Sequence, residues 1–165
     1  MQVFQFAAIL EAQIRQEVEV VMAQSPPELQ TVVTAVGTFQ AGIELLVDRA
    51  QYVDVDSGRY PEVSAAELLG PDSVWQEATA KLGTSGESTV VGLASLWFLI
   101  VLTEKSGQYY QQAALNSAHP ATRLFFSSLA EVKGMLRRRL DGLLRQLYNA
   151  AWTQVGFAPF VLGKD

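Results

Sequence analysis

Cysteine is absent from this chain, and histidine occurs once, at position 119. Without cysteine the chain has no disulfide, no thiolate metal site and no cysteine nucleophile. A single histidine cannot supply a zinc site built from several imidazoles, nor a pair of Glu-x-x-His motifs. A Ser-His-Asp triad would have to use His119, and the sequence contains no Gly-x-Ser-x-Gly segment, phosphate-binding loop or dinucleotide fingerprint. These absences exclude many of the common enzyme classes.

Charged residues are also scarce. They make up 18% of the 165 residues, and 12 basic against 17 acidic side chains give a net charge of −5. A chain that grips a nucleic-acid backbone is normally basic, so we expect no nucleic-acid partner. Apolar residues make up 49% of the chain, which argues against disorder and is enough for a sizeable core. The length then predicts a single domain over residues 1–165.

The sequence has no long hydrophobic run. The most apolar stretch, residues 90–102, is shorter than the roughly 20 residues that cross a bilayer, and it is predicted to be a buried core helix. The first residues, MQVFQFAAILEAQ, have no basic start, and Glu11 interrupts their apolar pattern, so no signal peptide is predicted. We therefore expect a cytoplasmic protein with no membrane partner.

Helical periodicity is what the sequence does have. Apolar residues recur at spacings of three and four in four segments, which predicts helices over 3–23, 27–50, 89–115 and 120–149 with no sheet. The stripes include Ala7, Ile14 and Val18; Val32, Val36 and Ile43; Leu96, Leu99 and Tyr110; Leu129, Leu140 and Leu147. Four stripes of this kind indicate an all-α fold.

Helix ends are predicted from capping residues. Ser25 and Glu28 have the spacing of a capping box, and Asn116 is a candidate left-handed residue at a helix end. Ser73 could open a short helix that ends at Leu82, and His119 would precede the last helix. Residues 51–88 are predicted to form a long crossover with one or two short helices. The tail, residues 151–165, is expected to pack on the helices or on a second subunit.

Two helix pairs joined by a long crossover are typical of a ferritin-like four-helix bundle. An up-down bundle with short loops is the main rival, but it has no use for so long a connection. The chain also resembles the rubrerythrin branch of the ferritin-like superfamily over about residues 6–50 and 95–148. The resemblance rests on Gly42–Leu46, Glu104, Tyr109-Tyr110, His119-Pro120, Arg123–Phe125 and Leu129–Glu131.

The resemblance implies a di-metal centre held by carboxylate and imidazole ligands from four helices. The six ligand positions of that family fall on Glu11, Phe39, Gly42, Thr103, Lys133 and Leu136. Only Glu11 is a ligand of the family type, so we expect no metal and no cofactor, with iron as the alternative. Phe39 and Leu136 would fill the vacated space with side chain.

Glu11 and Lys133 are then expected to pair inside the bundle, with a hydrogen bond from Thr103. In the alternative, Lys133 extends to water, and Glu11 binds a threonine, a tyrosine or water, or is a partly exposed helix carboxylate. Tyr109 and Tyr110 are expected to pack in the core, although they could transfer electrons in a metal-bearing relative.

Three consecutive arginines, Arg137, Arg138 and Arg139, form a candidate interaction patch. Residues 119–150 hold six basic and two acidic side chains, a net +4, so the remaining residues carry −9. The patch could bind an acidic partner or an anion, or it could be a solvated face that pairs with Asp141 and the acidic helices.

The residues therefore predict a non-catalytic ferritin-like bundle that binds an unknown protein, itself as a homodimer, or a small apolar ligand. The alternative is a rubrerythrin-type di-iron oxidoreductase with an aberrant metal site.

Overall fold

The computed structural model describes residues 2–82 and 89–154. Within these ranges the chain is all-α, and no strand is present, as the periodicity predicts. The α-helices are α1 Gln2–Gln24, α2 Gln30–Ala50, α3 Ala65–Leu69, α4 Asp72–Leu82, α5 Thr89–Asn116 and α6 Pro120–Gln154, and a 3-10 turn at Pro27–Leu29 precedes α2. The four predicted long helices correspond to α1, α2 with its 3-10 turn, α5 and α6.

The apolar stripes of the long helices form the core. Each of the twelve stripe residues named above is buried, with exposed fractions of 0% to 6%. Val3, which was predicted to begin the α1 stripe one turn before Ala7, is 40% exposed. Burial of aliphatic and aromatic side chains is the main favourable contribution to such a fold. The 3.6-residue period therefore predicts the inward side correctly at these twelve positions.

Two predicted capping residues are wrong. Ser25 does not cap the second helix, because its hydroxyl donates back to the Val21 carbonyl in the last turn of α1, at 2.5 Å. Pro26 is the extended residue before the 3-10 turn, with φ −65° and ψ 158°, so the capping position falls on a residue without a side-chain acceptor. Asn116 is not left-handed, since no residue other than glycine has a positive φ in the described ranges.

The connection between α2 and α5 contains the two short helices, α3 and α4. The Ser64 hydroxyl caps α3 by accepting from the Glu67 amide at 3.3 Å. Gly70 ends α3 with φ 71°, a conformation that favours glycine. The indole Nε1 of Trp75 on α4 then donates to the Leu69 carbonyl at 2.8 Å. α4 begins at Asp72, one residue before the predicted start at Ser73, and is described as far as Leu82.

Consecutive long helices pack as pairs, α1 on α2 and α5 on α6. The short link at residues 117–119 makes α5 and α6 antiparallel, and His119 lies there, exposed, with its carbonyl accepting from the Arg123 amide at 3.0 Å. α3 packs on α2, and α4 packs on both α2 and α6. The predicted tail begins later than residue 151, because α6 extends to Gln154; residues 155–165 lie outside the described part.

Residues 90–102 of α5 were predicted to be buried, but only one side of this stretch is. Leu96, Leu99 and Ile100 face the core, whereas Trp97 on the opposite side is 61% exposed. Two described helices, Pro27–Ala50 and Val90–Asn116, are long and apolar enough to cross a membrane by length and composition alone. Core helices of soluble proteins meet the same criterion, so this finding is weak. The length argument made from residues 90–102 nevertheless fails, because the helix continues well beyond them.

Candidate functional site

One polar side chain from each long helix meets at the centre of the molecule. The four residues are Glu11 on α1, Gln40 on α2, Tyr110 on α5 and Lys133 on α6, and we call them the central tetrad. Their exposed fractions lie between 0% and 3%. A buried polar group is costly unless it is hydrogen-bonded, so the contacts within this cluster determine whether the helices can pack around it.

Glu11 and Lys133 form a buried ion pair. The Lys133 Nζ donates to the Glu11 Oε2 at 3.0 Å, and the two side chains are 2% and 0% exposed. The pair was predicted from the positions of these residues in the family pattern, and the structure confirms it. The predicted alternative, in which Lys133 extends to water, is wrong.

Gln40 on α2 is hydrogen-bonded to both members of the ion pair. Its Nε2 donates to the Glu11 Oε2 at 2.5 Å and to the Glu11 main-chain carbonyl at 3.1 Å. Its Oε1 accepts from the Lys133 Nζ at 3.5 Å. Because the carboxylate only accepts and the ammonium only donates, this arrangement fixes which end of the amide faces which charge.

Tyr110 completes the contacts of the carboxylate. Its hydroxyl donates to the Glu11 Oε1 at 2.5 Å, so both carboxylate oxygens accept hydrogen bonds. Burial raises the pKa of Tyr110 well above 10.0, and the negative charge of Glu11 and the hydrogen bond to it raise this pKa further. The phenol therefore stays protonated and acts as a donor to Glu11 throughout the physiological range.

An aromatic cluster surrounds the Tyr110 ring. Tyr110 stacks on Phe126 with the ring centroids 6.0 Å apart, and Phe126 stacks on Phe4 at 4.9 Å. Tyr109 contacts Tyr110 edge-on at 5.3 Å, and its hydroxyl donates to the Val3 carbonyl at 2.9 Å. The expectation that both tyrosines pack in the core is therefore only partly right, because Tyr110 is buried and also polar-bonded, whereas Tyr109 is partly exposed.

The other predicted positions contribute in different ways. Phe39 is buried beneath Lys133, with the Nζ 5.9 Å from the ring centroid, and Leu136 is buried at 2% exposure, as expected of side chains that fill this space. Thr103 is buried, but its hydroxyl donates to the Leu99 carbonyl of its own helix at 2.7 Å, so the predicted bond to the ion pair is wrong. Gly42 faces α3, where an added Cβ would lie 2.5 Å from a Leu68 methyl group.

The geometry of the tetrad favours a structural rather than a catalytic role. The charges of Glu11 and Lys133 cancel, and the Gln40 amide and the Tyr110 phenol bond to the pair. At exposed fractions of 0% to 3%, none of the four side chains is accessible to a substrate. In the part of the chain that the structure describes, no three histidine or carboxylate side chains cluster as metal ligands would.

The three arginines of the candidate patch point in different directions. Arg137 lies 3.6 Å from Asp141 and 3.9 Å from Glu104, while Arg139 lies 2.9 Å from Asp72 and 5.3 Å from the Trp75 ring. Arg138 points to solvent between two grooves of about 500 and 560 Å³, one toward α5 and one toward α4. Successive residues of a helix point about 100° apart, which separates the three side chains.

Sequence reasoning missed Gln40. Its signal was nevertheless present, because Val36, Gln40 and Ile43 are spaced by four and three residues and therefore share one helix face. A glutamine on an apolar stripe, in line with a glutamate and a lysine on other stripes, indicates a buried polar contact. Gly107 on α5 lies against Lys133, since an added Cβ there would be in ordinary van der Waals contact with the Lys133 Cβ, at 3.4 Å.

Comparison of the chain with protein-family models, with curated proteins and with solved structures gives no match.

Proposed function

We propose that this protein is a non-catalytic, ferritin-like four-helix bundle that works by binding, with a second copy of itself as the partner. In this proposal the Glu11–Lys133 ion pair takes the place of the di-metal centre that the resembled family holds. The contact at 3.0 Å between these two side chains is the observation that carries the proposal.

The ion pair argues against a metal for a physical reason. A divalent cation beside Glu11 would lie close to the Lys133 ammonium, and the repulsion between two cations is strong where water does not screen it. Both oxygens of the carboxylate already accept hydrogen bonds, from Tyr110, Gln40 and Lys133. A catalytic metal ion keeps one coordination position open for water or substrate. An ammonium group has no such requirement and can be enclosed by protein.

The helix order supports the ferritin-like part of the proposal. Two pairs of long helices, α1–α2 and α5–α6, are joined by residues 51–88, which contain α3 and α4. One side chain from each long helix reaches the centre, which is how ferritin-like proteins assemble their ligands. The same positions can bring an acid and a base together when the metal ligands are replaced.

A protein without a reactive centre acts through its surface. The surface of this chain carries exposed apolar side chains on α1 and α5, including Ile9 at 69% and Trp97 at 61%. Contiguous exposed apolar surface is typical of sites that bind another protein. Self-association is therefore part of the proposal. The cytoplasmic location expected from the sequence is proposed with it.

Metal content is the test. The full chain would be produced in cells supplied with iron and manganese, purified without chelator, and examined by elemental analysis and by its absorption spectrum. We expect far less than one metal ion per chain and no absorption from oxo-bridged iron. Stoichiometric iron would overturn the proposal and favour the di-iron oxidoreductase. Lys133→Glu, which removes the competing cation and adds a carboxylate, serves as the control that the assay detects metal if a site can form.

A further inference from the structure

Two exposed charges of opposite sign on α6 have no partner within the described part of the chain. Glu131 and Arg138 lie on the outer side of the helix, and neither forms an ion pair or a side-chain hydrogen bond with another described residue. The arginines on either side of Arg138 are paired, Arg137 with Asp141 and Arg139 with Asp72. Seven residues make about two turns, so Glu131 and Arg138 share one side of α6, roughly 10 Å apart along its axis.

The spacing of these two charges makes the surface complementary to itself. The midpoint between them falls between Gly134 and Met135. When a second α6 crosses this midpoint in the antiparallel direction, Glu131 of each copy lies level with Arg138 of the other. A single two-fold contact then forms two ion pairs, and neither of these charges meets a like charge.

Gly134 allows two helices to come close at this midpoint. Among the described residues, the nearest atom to a Cβ added there is the Arg138 Nη1 at 3.6 Å, an ordinary contact, so the packing of the chain does not require a glycine here. Glycine within a helix is less favourable than alanine, and it occurs where another group must approach the backbone closely. A second helix at this point gives a reason for the glycine.

The residues farther from the midpoint also match. Leu124 lies seven residues before Glu131, and Arg145 lies seven residues after Arg138, so both share the same side of α6 at equal distances from the midpoint. Both are exposed, Leu124 at 69%. In the antiparallel contact, the aliphatic stem of Arg145 in one copy lies over Leu124 of the other while its guanidinium remains in water. The ends of the contact therefore bury apolar surface, and its centre pairs charges.

We propose that this side of α6 is a two-fold interface at which two copies of the chain associate. The residues that form it are Leu124, Glu131, Gly134, Arg138 and Arg145, and we call it the α6 ridge. The inference rests on the proposed self-binding function and names its surface.

Charge complementarity identifies the partner as a second copy. An acidic partner would be attracted by Arg138 but repelled by Glu131, and a basic partner would meet the reverse. The α6 ridge requires a partner with a base and an acid two turns apart, in the opposite direction along a helix, and the ridge itself has this arrangement. The excess of acidic residues, which would oppose association, lies outside residues 119–150.

The experiment reverses the two charges one at a time. Light scattering and sedimentation over a dilution series measure the mass of the full chain in solution. We expect wild type to be a dimer, and we expect Glu131→Arg and Arg138→Glu each to weaken dimerisation by about 30-fold or more, because both ion pairs become contacts between like charges. Arg49→Glu on α2 is the matched control for Arg138→Glu, since it changes the net charge equally at an exposed residue and should leave the dimer intact.

A mixture of the two variants tests the pairing directly. In a dimer of one Glu131→Arg chain and one Arg138→Glu chain, the arginine introduced at position 131 faces the glutamate introduced at position 138. The native Arg138 of the first chain faces the native Glu131 of the second. We expect the equimolar mixture to recover a mixed dimer of nearly wild-type affinity, which native mass spectrometry identifies by its mass. Far-ultraviolet circular dichroism verifies that each variant is folded.

The possible failures can be told apart. A dimer that both reversals leave intact lies on another surface, which overturns this interface and retains the proposed self-binding. Folded variants that stay monomeric when mixed show that Glu131 and Arg138 do not face each other across the contact, which also overturns it. A monomeric wild type contradicts both the interface and self-binding. Iron in a dimer that the reversals dissociate contradicts the proposed ion-pair bundle and retains the α6 ridge.

Discussion

Lys133 brings a buried positive charge into the core, and among the described residues Glu11 is the one carboxylate that forms an ion pair with it. Desolvation of two charges is expensive, and their attraction compensates only when the geometry is good and further hydrogen bonds are made. Gln40 and Tyr110 provide those bonds. The four side chains are therefore interdependent. Removal of any one leaves buried polar groups of the others without a hydrogen bond, which lowers the free energy of unfolding.

This dependence predicts an asymmetric result for mutations of the ion pair. Lys133→Met leaves Glu11 buried without a countercharge and should lower the free energy of unfolding by about 3–5 kcal/mol. Lys133→Met combined with Glu11→Leu removes both charges and should be more stable than Lys133→Met alone. It should still be less stable than wild type, because Tyr110 and Gln40 stay buried without their bonds to the pair. Urea unfolding followed by circular dichroism measures both.

A surface lysine provides the control for that measurement. Lys81 lies 2.8 Å from Glu77 with side chains 48% and 58% exposed, and such pairs contribute about 0–1 kcal/mol. Lys81→Met should therefore change the unfolding free energy much less than Lys133→Met does. A double variant as unstable as Lys133→Met alone would contradict the account of the tetrad given above.

The ion pair could be predicted because Glu11 and Lys133 fall on two positions that hold metal ligands in the resembled family, and those positions face one centre. The hydrogen-bond partners were harder to predict, because a threonine hydroxyl on a helix can bond to its own backbone, as Thr103 does. A glutamine within an apolar stripe can lie at the surface as well as in the core. Tertiary contacts, which a single sequence does not display, decide between these alternatives.

At the scale of the elements, the positions of the long helices follow from periodicity. Their ends depend on which of two neighbouring backbone groups a side chain bonds to. Ser25 could cap α2 or bond back to α1, and the extended backbone at Pro26 separates it from α2. The outward side of α5 is uncertain from sequence for another reason. A helix that is apolar on most sides gives no sign of which side is covered.

Two glycines within helices should respond to alanine in opposite directions. Gly142 on α6 has open space around the position of a Cβ, whereas on α2 a Cβ at Gly42 would lie 2.5 Å from a Leu68 methyl group. Gly142→Ala should raise the free energy of unfolding by about 0.5–1 kcal/mol, because alanine loses less conformational entropy in a helix. Gly42→Ala should lower it by about 1 kcal/mol or more, because Leu68 of α3 must move.

Thermal unfolding of the two alanine variants measures this difference. The comparison also reports on α3, since Leu68 holds that helix against α2 and is 7% exposed. If Gly42→Ala proved as stabilising as Gly142→Ala, the contact between α2 and α3 would be looser than the structure shows. The two substitutions add the same methyl group, so helix propensity alone cannot separate their effects.

At the scale of the whole molecule, the tetrad joins the two helix pairs. Glu11 and Gln40 lie on α1 and α2, while Tyr110 and Lys133 lie on α5 and α6. The hydrogen bonds from Tyr110 and Lys133 to Glu11 therefore cross from one pair to the other. Loss of these bonds should weaken the association of the pairs, and the protonation state of Tyr110 offers a way to change one of them without mutation.

Stability should consequently fall at alkaline pH in a way that depends on Tyr110. Burial and Glu11 raise the pKa of Tyr110 in the folded chain well above the 10.0 of an unperturbed tyrosine. A raised pKa means that the stabilisation is fully present below about pH 10 and is lost as pH rises toward the folded-state value. In that range the unfolded chain releases the phenolic proton and the folded chain retains it, so Tyr110 lowers the unfolding free energy by about 1.4 kcal/mol per pH unit.

Tyr110→Phe removes this titration together with the hydroxyl. Near neutral pH the variant should be less stable than wild type by about 1–3 kcal/mol, since a hydrogen bond to a buried carboxylate is lost. Above about pH 10 the difference between the two proteins should shrink, because only wild type carries the Tyr110 proton linkage. Urea unfolding at a series of pH values measures this difference, and Tyr52→Phe, which alters a ring that is 81% exposed, is the control. A difference that stays constant from neutral to strongly alkaline pH would show that Tyr110 ionises as readily in the folded chain as in the unfolded one.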